Sequence, residues 1–285
     1  VRRPRVLLLG NFQKPGVLDV IRSTEALIES WTRPLRRDLS QNVENERVKA
    51  AFGLVFGGDG AILAAARRVA MAGVPLLGVH MGKLGFLAEI RPEELSATLS
   101  RLKEGIPQPV ECMMLRAEVV RSGRVMRRCT AVNDAVISRE ALNRIIEMRL
   151  FIDGEEVNTF RADGLICSTP VGSTAHSLAA GGPIVEPDAN VMVISPICPH
   201  TLSNRPIVVA SDAVVEIEVW SRSVGFALTT DGQSMVRLRD HDRVRVRRNP
   251  WPLKLIKVSG RSFFQTLRTK LHWEGSTSDA PGPRS

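Results

Sequence analysis

Short apolar runs at Val6–Gly10, Gly53–Phe56 and Val74–Val79 alternate with stretches of helical character in the first third of the chain. No other feature narrows the fold as far. Val17–Glu29 repeats its apolar residues at helical spacing, and Ala61–Ala72 is alanine-rich and stopped by Gly73. Pro92–Lys103 reads as a further helix with proline at its start. Strand, helix, strand with short connections is the βαβ pattern, which requires a parallel sheet.

Past Pro107 and Pro109 the character changes. Leu115–Val120, Ala131–Ser138, Met148–Ile152, Val191–Ile194, Val214–Trp220 and Arg243–Arg247 are rich in β-branched residues and separated by turn signals, so each reads as a strand. Asp153-Gly154 predicts a hairpin between two of these runs. Leu253–Val258 then reads as a strand and Ser262–Leu271 as a helix that rejoins the first part. The expected organisation is a Rossmann-like α/β domain over residues 1–108, rejoined by 256–274, and a β-rich, sandwich-like domain over 109–255. Residues 275–285 lack core-forming side chains and are expected to be a loose tail.

The 285 residues suit one large or two modest domains, and 44% apolar content is ample for a core. No apolar run approaches the roughly 18 residues that a membrane helix needs. Arg2, Arg3 and Arg5 before Val6–Leu9 resemble the start of a signal peptide, but the apolar stretch is too short and no small-residue cleavage site follows. A cytoplasmic protein without a membrane partner is expected. Thirty-nine basic against thirty acidic residues leave a net charge of +9, which favours anionic ligands. With nine Phe, four Trp and no Tyr, aromatic platforms for single-stranded nucleic acid are scarce, and no nucleic-acid partner is expected. Cys112, Cys129, Cys167 and Cys198 form no C-x-x-C pair, so buried reduced thiols are expected rather than zinc ligands or a disulfide framework. His200 and His241 lack partners at ligand spacing, and no protein-held metal site is expected.

Gly57-Gly58-Asp59-Gly60 is the sharpest chemical signal. It follows a buried strand and opens a helix, the place where open α/β sheets bind ligands. Glycines let the backbone approach a phosphate, and the helix N-terminus offers free N–H donors. A carboxylate there repels phosphate, so Asp59 makes sense as acceptor of a proton from an attacking hydroxyl, or near a magnesium ion. The tetrapeptide alone equally admits Asp59 as an ordinary helix N-cap. No strict G-x-G-x-x-G occurs, and Gly78–Lys83 misses the P-loop pattern.

A second signal is the dense run of small and hydroxylated residues from Arg161 to Pro183, which includes Gly172-Ser173-Thr174-Ala175-His176 and Gly181-Gly182-Pro183. Such a run brings backbone N–H groups and hydroxyls close to a nucleotide with little steric hindrance. A tight Ser/Thr-rich turn is the plainer alternative. Ser173 and His176 lie in one local segment without a nucleophile elbow, which weakens a hydrolase reading. Asn133-Asp134 and Asp231-Gly232-Gln233 each follow a β-branched run and are turn dipeptides as readily as ligand sites. Arg243, Arg245 and Arg247 share one strand face, read first as solvated and second as a nucleic-acid patch.

Taken in order, the GGDG loop, Gly78–Glu89, Asn133-Asp134, Arg161–Pro183, Ser195–Val208, Asp231-Gly232-Gln233 and Phe263–Trp273 resemble the NAD kinase family. GGDG is shared with diacylglycerol-type lipid kinases and phosphofructokinases; the GSTA segment with its following AGGP is far more specific. The resemblance implies the NAD kinase/diacylglycerol kinase-like fold and transfer of a nucleoside triphosphate's terminal phosphate to the 2′-hydroxyl of NAD's adenosine ribose. It implies Asp59 as the base, with Gly57, Gly58 and Gly60 shaping the phosphate site. Asn133 and Asp134 would hold the adenosine portion, and Asp163 with Arg161 the other end of the dinucleotide. Thr174, Ala175, His176, Ser177, Leu178 and Ala179 would line the nucleotide, with Gln233 and Arg144 at further binding positions. NAD and ATP are the implied substrates, Mg²⁺ or another divalent cation the implied cofactor, and a homodimer or homotetramer the implied assembly. The chain departs from the family pattern at Ala61, usually Thr; His80, usually Asn; Asp134, often Glu; Val171, usually Thr or Ser; and His176, usually Tyr. A lipid kinase sharing GGDG and a non-catalytic nucleotide- or nucleic-acid-binding protein are the alternatives.

Overall fold

A computed structural model of the chain describes residues 3–41, 43–82, 85–140, 146–201, 203–220 and 225–273. The expected tail at 275–285 and the candidate residue Arg144 lie outside them.

The first strands, β1 (Arg5–Gly10), β2 (Arg33–Asp38), β3 (Phe52–Phe56) and β4 (Leu76–Val79), form a parallel sheet in the order β2-β1-β3-β4. Helices α1 (Val17–Ile28), α2 (Asp59–Val69) and α3 (Leu95–Glu104) connect or flank these strands. The uninterrupted Val6-Leu-Leu-Leu9 run has a direct cause. Val6 and Leu8 pack with α1 and α3 on one face, whereas Leu7 and Leu9 pack with α2 on the other, and all four are 0% exposed. A parallel strand covered on both faces must be apolar at every position.

Two further strands complete this sheet. Leu253–Leu255 lies parallel to β4, and β5 (Val110–Cys112) pairs antiparallel with its outer side. The strand expected at the start of Leu253–Val258 thus lies in the first sheet, and so does Val110–Cys112, where no strand was expected. The remaining strands form two six-stranded antiparallel sheets. One apolar core takes Ala117, Met148, Ile217 and Val244 from the first and Ile137, Leu165, Ile194 and Leu228 from the second, so the two pack face to face. Asp153 and Gly154, both at positive φ, make the expected hairpin turn.

Some elements differ from the sequence expectation. The helix expected from Ala61 begins at Asp59 and tightens into a 3₁₀ turn over Ala70–Ala72, with Gly73 left-handed at its end. The one strand expected over Ala131–Ser138 is two, Arg124–Ala131 and Asp134–Arg139, broken at Val132–Asn133. Strands at Ile207–Ala210, Phe226–Thr230 and Ser234–Leu238 lie outside the runs expected to be strands, although the second contains the β-branched run before Asp231. Cys112, Cys129 and Cys167 are buried as expected, but Cys198 is exposed at a positive-φ position. Among the described residues no helix is long and apolar enough to cross a membrane.

Candidate active site

β3 and β4 are adjacent and parallel, so the chain leaves both from the same edge of the sheet. The glycine loop follows β3 and the Phe86–Leu87 segment comes after β4. Their meeting gives Asp59 partners outside its own helix. Gly58 is the helix N-cap, and no side chain caps the helix. The Asp59 carboxylate instead accepts N–H bonds from Phe86 (2.8 Å) and Leu87 (3.0 Å). Gly85 makes this approach possible, because a Cβ there would stand 1.9 Å from Asp59 Oδ1. A carboxylate has about four lone-pair sites, so two backbone donors leave capacity for a ligand hydroxyl. Of the loop glycines, Gly57 sits at φ +155° against Ala61. Among the described residues, a Cβ on Gly58 would meet nothing within 4 Å, and one on Gly60 would meet Gln233 at 3.6 Å. The exposed start of α2 is therefore open to a ligand.

The Asn133-Asp134 turn is clasped from two sides. Asp231 accepts from the backbone N–H groups of Val132 (3.1 Å), Asn133 (2.8 Å) and Asp134 (3.3 Å). From the other side, Thr169 donates its N–H to the Asn133 carbonyl (2.9 Å) and its hydroxyl to the Val132 carbonyl (2.6 Å). Asp134 is 4% exposed; burial, reinforced by the Asp231 charge, pushes its carboxyl up to about 7. Asp231 and Gly232, at φ 52° and 62°, form the tight turn between Phe226–Thr230 and Ser234–Leu238. Gln233, next along, has both ends of its amide engaged: Oε1 accepts from Arg67 and Nε2 donates to the Gly60 carbonyl (2.9 Å).

The glycine- and serine-rich segment leaves the strand Gly164–Ser168, makes a 3₁₀ turn over Val171–Thr174 and then a four-residue helical turn, α4 (His176–Ala179). Gly172 lets this turn touch the Asn133 carbonyl, which a Cβ would meet at 2.1 Å. Val171 and Thr174 share a cleft with Gly85, Phe86 and Leu87, so the second motif faces the segment that holds Asp59. Along α4, His176 and Ala179 are exposed, while Ser177 is buried against the Ser195 hydroxyl (3.0 Å). Ala175 and Leu178 are half-buried. Helix α5 (Phe263–Leu271) closes the far side of the cleft, with Phe263 beside Phe86. Glu89 anchors the end of the segment after β4 on Lys257 (2.6 Å) and the Ser259 hydroxyl (2.7 Å). Burial opposes its charge, but these partners outweigh burial and hold the carboxyl below its ordinary range.

Two family models match the chain: the ATP-NAD kinase N-terminal domain over residues 19–106 and the ATP-NAD kinase C-terminal domain over 132–258. The NAD kinase of Moorella thermoacetica is 41% identical over 98% of this chain and 93% of its own length. The chain belongs to the NAD kinase family. The NAD kinase of Geotalea daltonii is 44% identical over 77% of the chain and 78% of its own length. Two solved structures share the fold. Yeast NADH kinase complexed with NADH has a TM-score of 0.83 at 21% identity, over 100% of this chain and 91% of that one. Archaeoglobus fulgidus NAD kinase in complex with ATP has 0.75 at 23%, over 95% and 100%. An NAD kinase activity follows from the family and from curated relatives that share most of the chain.

Within this NAD kinase the expected site residues fall into two groups. The glycine loop, Asn133-Asp134, Gln233 and the start of the Thr174–Ala179 segment converge on one region through the contacts above. Asp163 stands apart. Asp134 lies opposite Ser168 in the sheet, and Asp163 is five residues back along that strand, about 17 Å away at roughly 3.4 Å per residue. There it pairs with Arg139 (2.8 Å). Arg161 is mostly exposed, 3.6 Å from Glu147. The Arg243, Arg245 and Arg247 face is matched by Glu218, Glu216 and Glu118, as a paired, solvated face should be. Sequence reasoning missed Arg67, Thr169 and the carboxylate of Asp231. Two adjacent arginines in an alanine-rich, otherwise apolar helix were the available signal, because a buried guanidinium demands an acidic partner.

Proposed function

We propose that the chain transfers the terminal phosphate of ATP to the 2′-hydroxyl of NAD's adenosine ribose, with Asp59 taking the hydroxyl proton. The observation that carries this reading is the orientation of Asp59. Its carboxylate leaves its own helix uncapped and rests on the Phe86 and Leu87 N–H groups at the open start of α2. In the step, a proton moves from O2′ to an Asp59 oxygen while O2′ bonds to the terminal phosphorus. The bond from that phosphorus to the bridging oxygen breaks, and ADP leaves with the electron pair. Phosphoryl transfer asks mainly for positioning and charge stabilisation. The first N–H groups of α2 and the net positive charge suit two polyanionic substrates.

Asn133 and Asp134 then hold the adenosine, and Val171, Thr174 and His176 border the nucleotide. Asp163 and Arg161 belong to the far end of the dinucleotide. Among the described residues no three His, Cys, Asp or Glu side chains converge on a metal site. Mg²⁺ binds through one or two carboxylates plus substrate phosphates, and in this reading it enters as part of the donor, Mg·ATP. A homo-oligomer in the cytoplasm, where both nucleotide pools are available, completes the reading.

The test is NADP formation from NAD, ATP and Mg²⁺, detected with an NADP-specific dehydrogenase, with Asp59→Asn alongside. A positioned base contributes ~10²–10⁴-fold, so the variant should lose turnover by about that factor while binding NAD as tightly as the wild type. Near-normal turnover in the variant would remove Asp59 from its role.

A further inference from the structure

We propose that Arg67 is a positioning residue, whose buried guanidinium keeps the helix carrying Asp59 in register with the turn carrying Asn133 and Asp134. The inference rests on the roles proposed above for those three residues. Arg67 is 2% exposed, in a helix whose other buried positions are Ile62, Leu63, Ala65, Ala66 and Val69, together with Arg68, which turns instead to Glu46. An apolar side chain would fill that space without the cost of desolvating a charge. What the guanidinium supplies is a connection between two parts of the site.

Its Nη1 donates to Asp231 (2.8 Å) and its Nη2 to Gln233 Oε1 (2.5 Å), residues 164 and 166 positions away in sequence. Gln233 returns to the same helix through Gly60, so α2 holds the Asp231–Gln233 hairpin at two points seven residues apart. Two attachment points about 10 Å apart along a helix axis, at roughly 1.5 Å per residue, fix sliding and rotation together. Asp231 spends its oxygens on Arg67 and on the N–H groups of Val132, Asn133 and Asp134. Thr169 and Gly172 hold the opposite side of that turn. Each link is a direct bond, so Asp59 and Asp134 are joined by a short chain of rigid contacts. The Arg67 Nε lies 3.9 Å from Glu44 and makes no hydrogen bond, so the two Nη bonds carry the attachment. Lysine, with one ammonium, can keep the charge opposite Asp231 but cannot reproduce the planar fork across two acceptors.

The test compares the wild type with Arg67→Met and Arg67→Lys in the full chain. Amide exchange at Val132, Asn133 and Asp134 should quicken at least tenfold in Arg67→Met and less in Arg67→Lys, with Val6–Leu9 unchanged. Displacement by about 1 Å costs on the order of 10²-fold in rate, so kcat of Arg67→Met should fall towards that factor. KM for NAD should rise several-fold and KM for ATP should stay within about twofold, a split that partial unfolding does not produce. Arg67→Lys should recover part of both effects. A folded Arg67→Met with unchanged exchange or unchanged kinetics overturns the proposal, as does a lysine variant no better than methionine. If Arg67→Met does not fold, Gln233→Met cuts the ties to Gly60 and to Arg67 Nη2 while leaving Arg67 on Asp231, and the same split at smaller size is expected; its absence overturns the proposal. A wild type that forms no NADP counts against the functional reading alone, because the exchange measurement still decides whether Arg67 holds the turn.

Discussion

A carboxylate in the first turn of a helix normally finds its partner in that turn, and Asp59 finds it instead in a segment 27 and 28 residues later. Asp134 shows the complementary situation: a carboxyl at a strand start with little water around it and a second carboxylate nearby. Its folded pKa of about 7 lies above the ordinary carboxyl value of 3.8, so the folded state binds a proton that the unfolded chain releases. The sign follows from linkage: Asp134 costs stability as pH rises from about 4 to 7, and the cost levels off above 7. Asp134→Asn removes that dependence. Its stability relative to the wild type should increase across the same interval and stay constant from pH 7 to 8, as measured by urea denaturation at several pH values. A relative stability that does not change with pH would contradict the burial assigned to this carboxyl. Asp59 and Asp134 were both legible in the sequence as residues. The bonding of both and the protonation of Asp134 were not, because they depend on neighbours that fold in from elsewhere.

At the scale of elements, periodicity located what it physically controls. The helices at Val17, Leu95 and Phe263 and the strands β1, β3 and β4 appear where apolar spacing put them, within a few residues at their ends. Elements defined by pairing rather than pattern were harder to read. β2 is Arg-Pro-Leu-Arg-Arg-Asp, an edge strand that owes its existence to its partner β1. The 3₁₀ turn over Val171–Thr174 lies within the small-residue run expected to approach a nucleotide, and its packing against the Asn133 backbone has no local signature. Gly172→Ala tests that packing. Its Cβ would stand 2.1 Å from a backbone oxygen that is itself fixed, so one of two held segments must shift. Overpacking of this kind costs about 1–3 kcal/mol. The variant should unfold at lower urea concentration with an unchanged m-value and bind NAD more weakly. Wild-type stability would show that the turn yields freely.

At the scale of the whole molecule, the chain's return is the decisive event. Leu253–Leu255 inserts between β4 and β5, and Ile256 joins the core formed by Val6, Leu8 and Phe52. The first sheet is thus built from two regions more than a hundred residues apart in sequence. A fragment ending at residue 112 would leave β4 without its partner at Leu76 and part of its core open. Such a fragment is expected to lack a cooperative thermal transition and to bind a hydrophobic dye. Adding the segment from Leu253 to Trp273 through a flexible linker should restore the transition. A fragment that melts cooperatively by itself would show that the inserted strand is dispensable.

Local physics was enough to establish much of this protein from its sequence. A run such as Val6–Leu9 has to be buried on both faces, Asp153-Gly154 has to turn, and three glycines around an aspartate between strand and helix leave the backbone open to close approach. Those conclusions follow from backbone sterics and apolar spacing over a few residues. The tertiary structure alone decided which partner each polar group received. Arg67 meets Asp231 across 164 positions, and Asp59 meets Phe86 because two parallel strands end at the same edge. A hydrogen bond is satisfied by geometry and not by distance along the chain, so these pairings become visible only once the sheets have brought the residues together.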